Sequence, residues 1–154
     1  LNTYFKSMLD VVFKFNGTFD KLVGDELMVL YGVPLKSEDD TENAVKTAVQ
    51  MFKSLDKFNE RIIKDGFKPF KIGIGINKGK AVSGNIGSDQ QMNYTVIGDT
   101  INLGARLCSH AKSGQILISN SVKDVIGDNY DFKKIPTIEV KGKSKPIEVW
   151  SYMH

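Results

Sequence analysis

Apolar positions recur at three- and four-residue steps near the start of the chain, at Phe5, Met8, Leu9 and Val12. This period predicts an amphipathic helix over 2–15. Asn16-Gly17 closes it, since both residues tolerate the left-handed conformation at a helix end. Residues 18–32 then read as a β-hairpin turning at Gly24-Asp25, with Leu27, Val29 and Tyr31 alternating along its second arm. A long helix is predicted over about 40–64. Ser37-x-x-Asp40 stands before it as a capping signal, and Ala44, Ala48, Phe52, Leu55, Phe58 and Ile62 form its apolar stripe.

Beyond Asp65-Gly66 the period drops to two. Phe70, Ile72, Ile74 and Ile76 alternate with Lys71, Gly73, Gly75 and Asn77, which predicts a half-buried strand with one nearly bare face. Further strands are expected at 80–86 and 91–97. A helix over about 99–111, capped by Asp99-Thr100, comes next. A strand at 115–118, a short helix at 120–126 and strands near 130–133, 137–142 and 146–152 complete the chain. The order predicts a single domain over 1–154 of the α+β class, a mainly antiparallel sheet with helices on one face.

Composition narrows the chemistry. The 154 residues are 41% hydrophobic and 25% charged, as in ordinary folded domains. The net charge of +3 is too small to imply a nucleic-acid partner but suits a polyanionic small substrate. One cysteine, Cys108, excludes an internal disulfide and a cysteine metal cluster, and fits a cytoplasmic setting. Cys108 and Met92 read as packing residues. With only His110 and His154, a histidine metal site is not expected. No apolar run reaches the ~20 residues of a membrane span, so no membrane contact is expected from this segment. An RNA-binding sheet would need exposed aromatics on its central strands, and the Gly73/Gly75 face offers none.

Several residues carry possible chemistry. Asp25, at a tight turn beside a glycine, offers a hard carboxylate donor for a divalent cation, although Gly-Asp is also an ordinary turn dipeptide. Lys21 precedes it by four residues. Asn102 and Arg106, at i and i+4, share a helix face. Asparagine is a mediocre helix former among apolar residues, while arginine supplies a fixed fork of donors for a phosphate. Lys141 and Lys143 flank Gly142, as an anion-holding pair or a solvated basic turn.

Three segments in order resemble class III adenylate and guanylate cyclases: Phe19-Asp20-Lys21-Leu22-Val23-Gly24-Asp25, Tyr94-Thr95-Val96-Ile97-Gly98-Asp99-Thr100-Ile101-Asn102-Leu103-Gly104-Ala105-Arg106-Leu107, and Val140-Lys141-Gly142-Lys143. Residues 73–79 and 82–87 are similar to that family's central strands. The resemblance covers essentially the whole chain. It implies a ferredoxin-like core, a head-to-tail homodimer and ATP bound at the dimer interface. It implies two Mg²⁺ or Mn²⁺ ions per site, with Asp25 as the second of two metal-binding aspartates. The first would lie on an opening strand upstream; neither Asp10 nor Asp20 matches it. The fold is therefore expected without its first strand, the isolated segment inactive, and regulatory domains elsewhere in a parent chain.

By the same resemblance Lys21 and Thr95 read the purine. A lysine donates to adenine N1, whereas guanylate cyclases carry glutamate there. Asn102 orients the ribose, Arg106 meets the α-phosphate, and Lys141 holds the triphosphate. The segment Gly87–Tyr94 is expected to reach across the interface, and Gly104 stands where alanine is frequent. The rival expectations are a guanylate cyclase, against which Lys21 speaks, and a catalytically silent dimerisation or nucleotide-sensing module, for which the missing aspartate speaks.

Overall fold

The structure, a computed structural model, describes residues 2–86, 93–139 and 145–154. These fall into two compact units, one reaching to Ile72 and taking in His154, the other running Gly73–Met153.

The first unit contains α1 (Asn2–Lys14), β1 (Thr18–Val23), β2 (Glu26–Leu30) and α2 (Asp40–Lys64). Helix α1 buries Met8, Val11 and Val12, and Asn16 beyond its end takes a positive φ of 65°, as its closing role predicts. The capping signal of α2 is half realised. The Asp40 carboxylate accepts from the Ser37 amide at 2.7 Å, but the Ser37 hydroxyl accepts from Asp39 rather than from a helical amide, and Asp39 is the capping residue. The buried stripe of α2 is Val45, Thr47, Ala48, Met51, Phe52, Leu55 and Phe58. Ala44 and Ile62 are only half-buried, so the stripe is rotated from the predicted one. Thr47 tolerates burial because its hydroxyl donates to Asn43 O and pairs with the Tyr31 phenol.

The predicted strand from Phe70 shortens to β3 (Ile74–Ile76). Phe70 does present its side chain inward, ring to ring with Tyr4 and Phe58 at centroid distances of 4.9 and 5.4 Å. Its backbone, however, is held by one side chain. The Asn59 amide donates to Phe70 O at 2.9 Å and accepts from Phe70 N at 2.8 Å. That pair takes the place of a strand neighbour, so the alternation is real but the ladder is not. At the other end of the chain His154 stacks on Phe52 and meets Asp56 at 2.6 Å.

The second unit holds β3, β4 (Val82–Ile86), β5 (Asn93–Ile97), α3 (Asp99–His110), β6 (Gln115–Ser119), α4 (Asn120–Ile126), β7 (Lys133–Ile138) and β8 (Ile147–Met153). Strands β4 and β5 pair antiparallel as a hairpin. Gly84 lies within β4 opposite Thr95; Gly87 and Met92 lie outside the described residues. The larger sheet has the order β3-β6-β8-β7. Its β3–β6 pair is parallel and the others antiparallel. Strand β6 is flanked on both sides, and its run Ile116-Leu117-Ile118 is buried without alternation, as expected of a central strand covered on both faces. Leu117 and Val149 cluster with Leu107 of α3, the seam joining helix to sheet.

Two predicted strands near 130–142 are one strand, β7, among the described residues. Pro136 interrupts it, having no N–H to donate, and the pairing with β8 shifts register between Ile135 and Ile138. An edge position tolerates this. Helix α3 likewise differs at its start. Gly98, at φ 134°, is its capping residue and makes no side-chain capping bond, while the Thr100 hydroxyl turns away to Lys80 O. Asp99 and Thr100 are therefore first-turn residues rather than the cap.

Candidate functional site

The bare face of β3 explains how α3 is seated. A Cβ on Gly75 would meet the Cys108 amide nitrogen, the Leu107 carbonyl carbon at 2.7 Å and Leu107 Cβ at 2.8 Å. One on Gly73 would meet Ala111 Cβ and O, both at 2.8 Å. The two glycines let the helix backbone rest directly on the strand. With Leu107 fully buried against the sheet, Asn102 and Arg106 emerge on the exposed side of α3. Among the described residues neither side chain has a hydrogen-bond or ion-pair partner. Thr95 lies on β5, whose side chains there are outside the description, and Lys141 lies in 140–144, also outside it.

In the first unit, Lys21 and Asp25 share the β1–β2 hairpin. Val23 pairs with Glu26, leaving Gly24-Asp25 as a two-residue connection. Gly24 has φ 63° and Asp25 is not left-handed, the φ signature of a type II′ turn. A Cβ on Gly24 would touch nothing within 4 Å beyond its chain neighbours, so the glycine answers to backbone conformation rather than to crowding. Asp25 is exposed, and its charge adds to burial in pushing the Tyr4 phenol above its ordinary range. The oxygen donor suits a hard divalent cation. Among the described residues no group of three or more ligating side chains forms around it.

The hairpin also holds a residue that sequence reasoning passed over. Phe19 pairs with Val29 and Lys21 with Met28, which leaves Asp20 as the extra residue of a β-bulge. Its side chain is 6% exposed, its Oδ2 has no hydrogen-bond partner among the described residues, and the Lys21 ammonium lies 3.7 Å away. A cleft of about 410 Å³ lies elsewhere, in the second unit, lined by Asn77, Lys78, Asp99, Ser119, Ser121 and Glu148 among others. None of the predicted site residues among those described borders it.

The profile of the family described as the adenylate and guanylate cyclase catalytic domain matches residues 1–153. The chain belongs to this family. It is 33% identical over 157 residues to the terminal-differentiation-specific adenylate cyclase of Dictyostelium discoideum, covering 97% of this chain and 7% of that protein. Among solved structures, the guanylyl cyclase Cya2 superposes with a TM-score of 0.92 at 38% identity, over 98% of this chain and 77% of that one. The adenylyl cyclase CyaB of P. aeruginosa gives 0.88 at 32%, over 97% and 78%. The cyclase domain spans only 7% to 31% of the length of the adenylate cyclases it matches. No helix among the described residues is long and apolar enough to cross a membrane.

Proposed function

We propose that this cyclase domain converts ATP to 3′,5′-cyclic AMP and pyrophosphate in a head-to-tail homodimer. The ribose 3′-hydroxyl gives up its proton to water as its oxygen attacks the α-phosphorus, the bond to the bridging oxygen of the β-phosphate breaks, and pyrophosphate leaves. Arg106 places its guanidinium fork on the α-phosphate, where charge redistributes in the transition state. Asn102 holds the ribose, Lys141 the triphosphate, and Lys21 with Thr95 the purine. Asp25 would hold Mg²⁺ or Mn²⁺, which supplies charge neutralisation and lowers the pKa of the attacking hydroxyl. Two such ions per site, a cytoplasmic location and regulatory domains elsewhere in the parent chain belong to the same reading. The small share of each longer relative that the chain spans supports the last of these.

The observation that carries the choice of nucleotide is Lys21, a half-exposed ammonium on β1 just before the Asp25 turn. Adenine N1 accepts a hydrogen bond from it; guanine N1 bears a proton and cannot. The 38% identity to a guanylyl cyclase favours GTP as the second reading. The test is turnover of ATP and GTP by the protein with its native flanking sequence, with Mg²⁺ or Mn²⁺ and both cyclic products quantified. Cyclic AMP should dominate, and Lys21→Glu should move preference toward GTP by about tenfold or more, the scale of one charged hydrogen bond. Dominant cyclic GMP, or a preference that Lys21→Glu leaves in place, would sink the assignment.

A further inference from the structure

In a regular strand, neighbouring side chains point to opposite faces, so Asp20 and Lys21 should stand apart. The bulge in β1 cancels that alternation. Asp20 is the unpaired extra residue between Phe19↔Val29 and Lys21↔Met28, and its carboxylate comes within 3.7 Å of the Lys21 ammonium. The two ends of the pair differ sharply in environment. The Asp20 side chain is 6% exposed and that of Lys21 is 45% exposed. Burying a carboxylate oxygen that accepts no hydrogen bond is unfavourable, and Oδ2 of Asp20 is such an atom among the described residues. Among the described residues its charge is answered by Lys21 alone.

We propose that Asp20 is a positioning residue for the purine-reading lysine: its buried carboxylate anchors the Lys21 ammonium and aims the remaining N–H donors at the base. The proposal rests on the reading of Lys21 given above. Lysine has four rotatable side-chain bonds and no intrinsic direction for its donors. An unanchored ammonium would discriminate poorly, because it can meet any acceptor on either purine. At 3.7 Å the ammonium is near Oδ2 without a hydrogen bond to it, so a small closure on substrate binding satisfies carboxylate and base together. Asp20 itself is too buried to touch the nucleotide; its influence passes through Lys21.

The test compares Asp20→Asn, Asp20→Glu, Lys21→Ala and the double variant Asp20→Asn/Lys21→Ala in the full-length protein, with kcat and KM for ATP and GTP. Asp20→Asn keeps the shape and removes the charge. It should raise KM for ATP and lower the ATP-to-GTP ratio of kcat/KM by about fivefold or more, with kcat nearly unchanged. Asp20→Glu should restore part of that ratio. The double variant should be no less selective than Lys21→Ala alone, since the two residues act as one unit. Loss of the ratio in Lys21→Ala but not in Asp20→Asn overturns the positioning role and leaves the Lys21 reading intact. An unchanged ratio in Lys21→Ala removes the Lys21 reading itself. A fall in kcat for both nucleotides alike, with the ratio fixed, marks Asp20 as merely structural and also overturns the proposal. Should Asp20→Asn not fold, Asp20→Ser is read the same way, with calorimetric binding of a non-cyclising ATP analogue in place of turnover.

Discussion

A methyl group added to Gly75 tests how α3 is held. The new Cβ would lie 2.7 Å from the Leu107 carbonyl carbon and 2.8 Å from Leu107 Cβ, besides meeting the Cys108 amide nitrogen. Non-bonded carbons sit about 3.5–4.0 Å apart at rest. Helix and strand must therefore separate by roughly 0.7–1.3 Å. The atoms encountered belong largely to backbone, so no flexible side chain can swing aside. Overpacking of this kind costs about 1–3 kcal/mol, and a rigid obstacle places Gly75→Ala at about 3 kcal/mol. For a chain of this size that corresponds to a melting temperature lowered by about 6–12 °C.

Gly104→Ala is the control, because the same methyl is added to the helix itself. Its Cβ would find only Asn77 Cβ, at 3.8 Å, an ordinary contact. Replacing a helical glycine by alanine then stabilises by about 0.5–1 kcal/mol, or about 1–4 °C. Scanning calorimetry of the two variants beside the wild type should show shifts of opposite sign. Because α3 carries Arg106, a displacement approaching 1 Å should also lower turnover in Gly75→Ala by about tenfold to a hundredfold, with Gly104→Ala near wild type. A Gly75→Ala protein melting within about 1 °C of the wild type would refute the backbone-on-backbone seating.

Asn59→Ala strips both partners from the half-buried Phe70 backbone and should destabilise by about 2 kcal/mol in urea unfolding, with wild-type stability refuting the role given to that amide. Burial pushes the Tyr31 phenol up to about 12, against the lowering effect of its Thr47 hydrogen bond, while an unfolded tyrosine titrates near ~10. The unfolded chain thus releases that proton first, and stability is intact below about pH 10 and falls toward about pH 12 by on the order of 1 kcal/mol, allowing for partial exposure. The urea midpoint of Tyr31→Phe should lack this alkaline decline. Arg106→Lys keeps the charge but loses the planar fork, and kcat should fall about a hundredfold with KM within a few-fold; undiminished kcat would remove Arg106 from the transition state.

The parts of this fold legible in the sequence are those fixed by local periodicity. The apolar period of α2 and the Gly-Asp turn of the first hairpin announce themselves, and the i, i+4 spacing already places Asn102 and Arg106 on one face. What escapes depends on a partner distant in sequence. The alternation from Phe70 predicts a strand, but whether those residues join a ladder depends on Asn59, eleven residues earlier, capturing the Phe70 backbone. Pro136 marks a disturbance without saying that one edge strand will span it. The bulge at Asp20 is invisible for the same reason, since an extra residue exists only relative to the opposite strand. Sequence alone therefore presents Asp20 as an ordinary strand residue whose side chain leaves on the other face from Lys21.

The two halves of the candidate chemistry are positioned by different devices, each suited to the role proposed for the residue. A transition-state group must be fixed to well under an ångström. Arg106 is adjacent to Leu107, which is wholly buried, and the helix turn beneath them rests on the glycine face of β3. Burial of that leucine contributes about 1.5–3 kcal/mol toward one rotational setting of α3. A purine-reading group instead needs a directed donor at the end of a long flexible stem. Backbone rigidity alone cannot supply that direction, because four torsions intervene between the strand and the ammonium. A buried counter-charge at its tip can, so under the proposed reading of Lys21 the bulge that brings Asp20 beside it would matter more to nucleotide choice than the regularity of β1 that it interrupts.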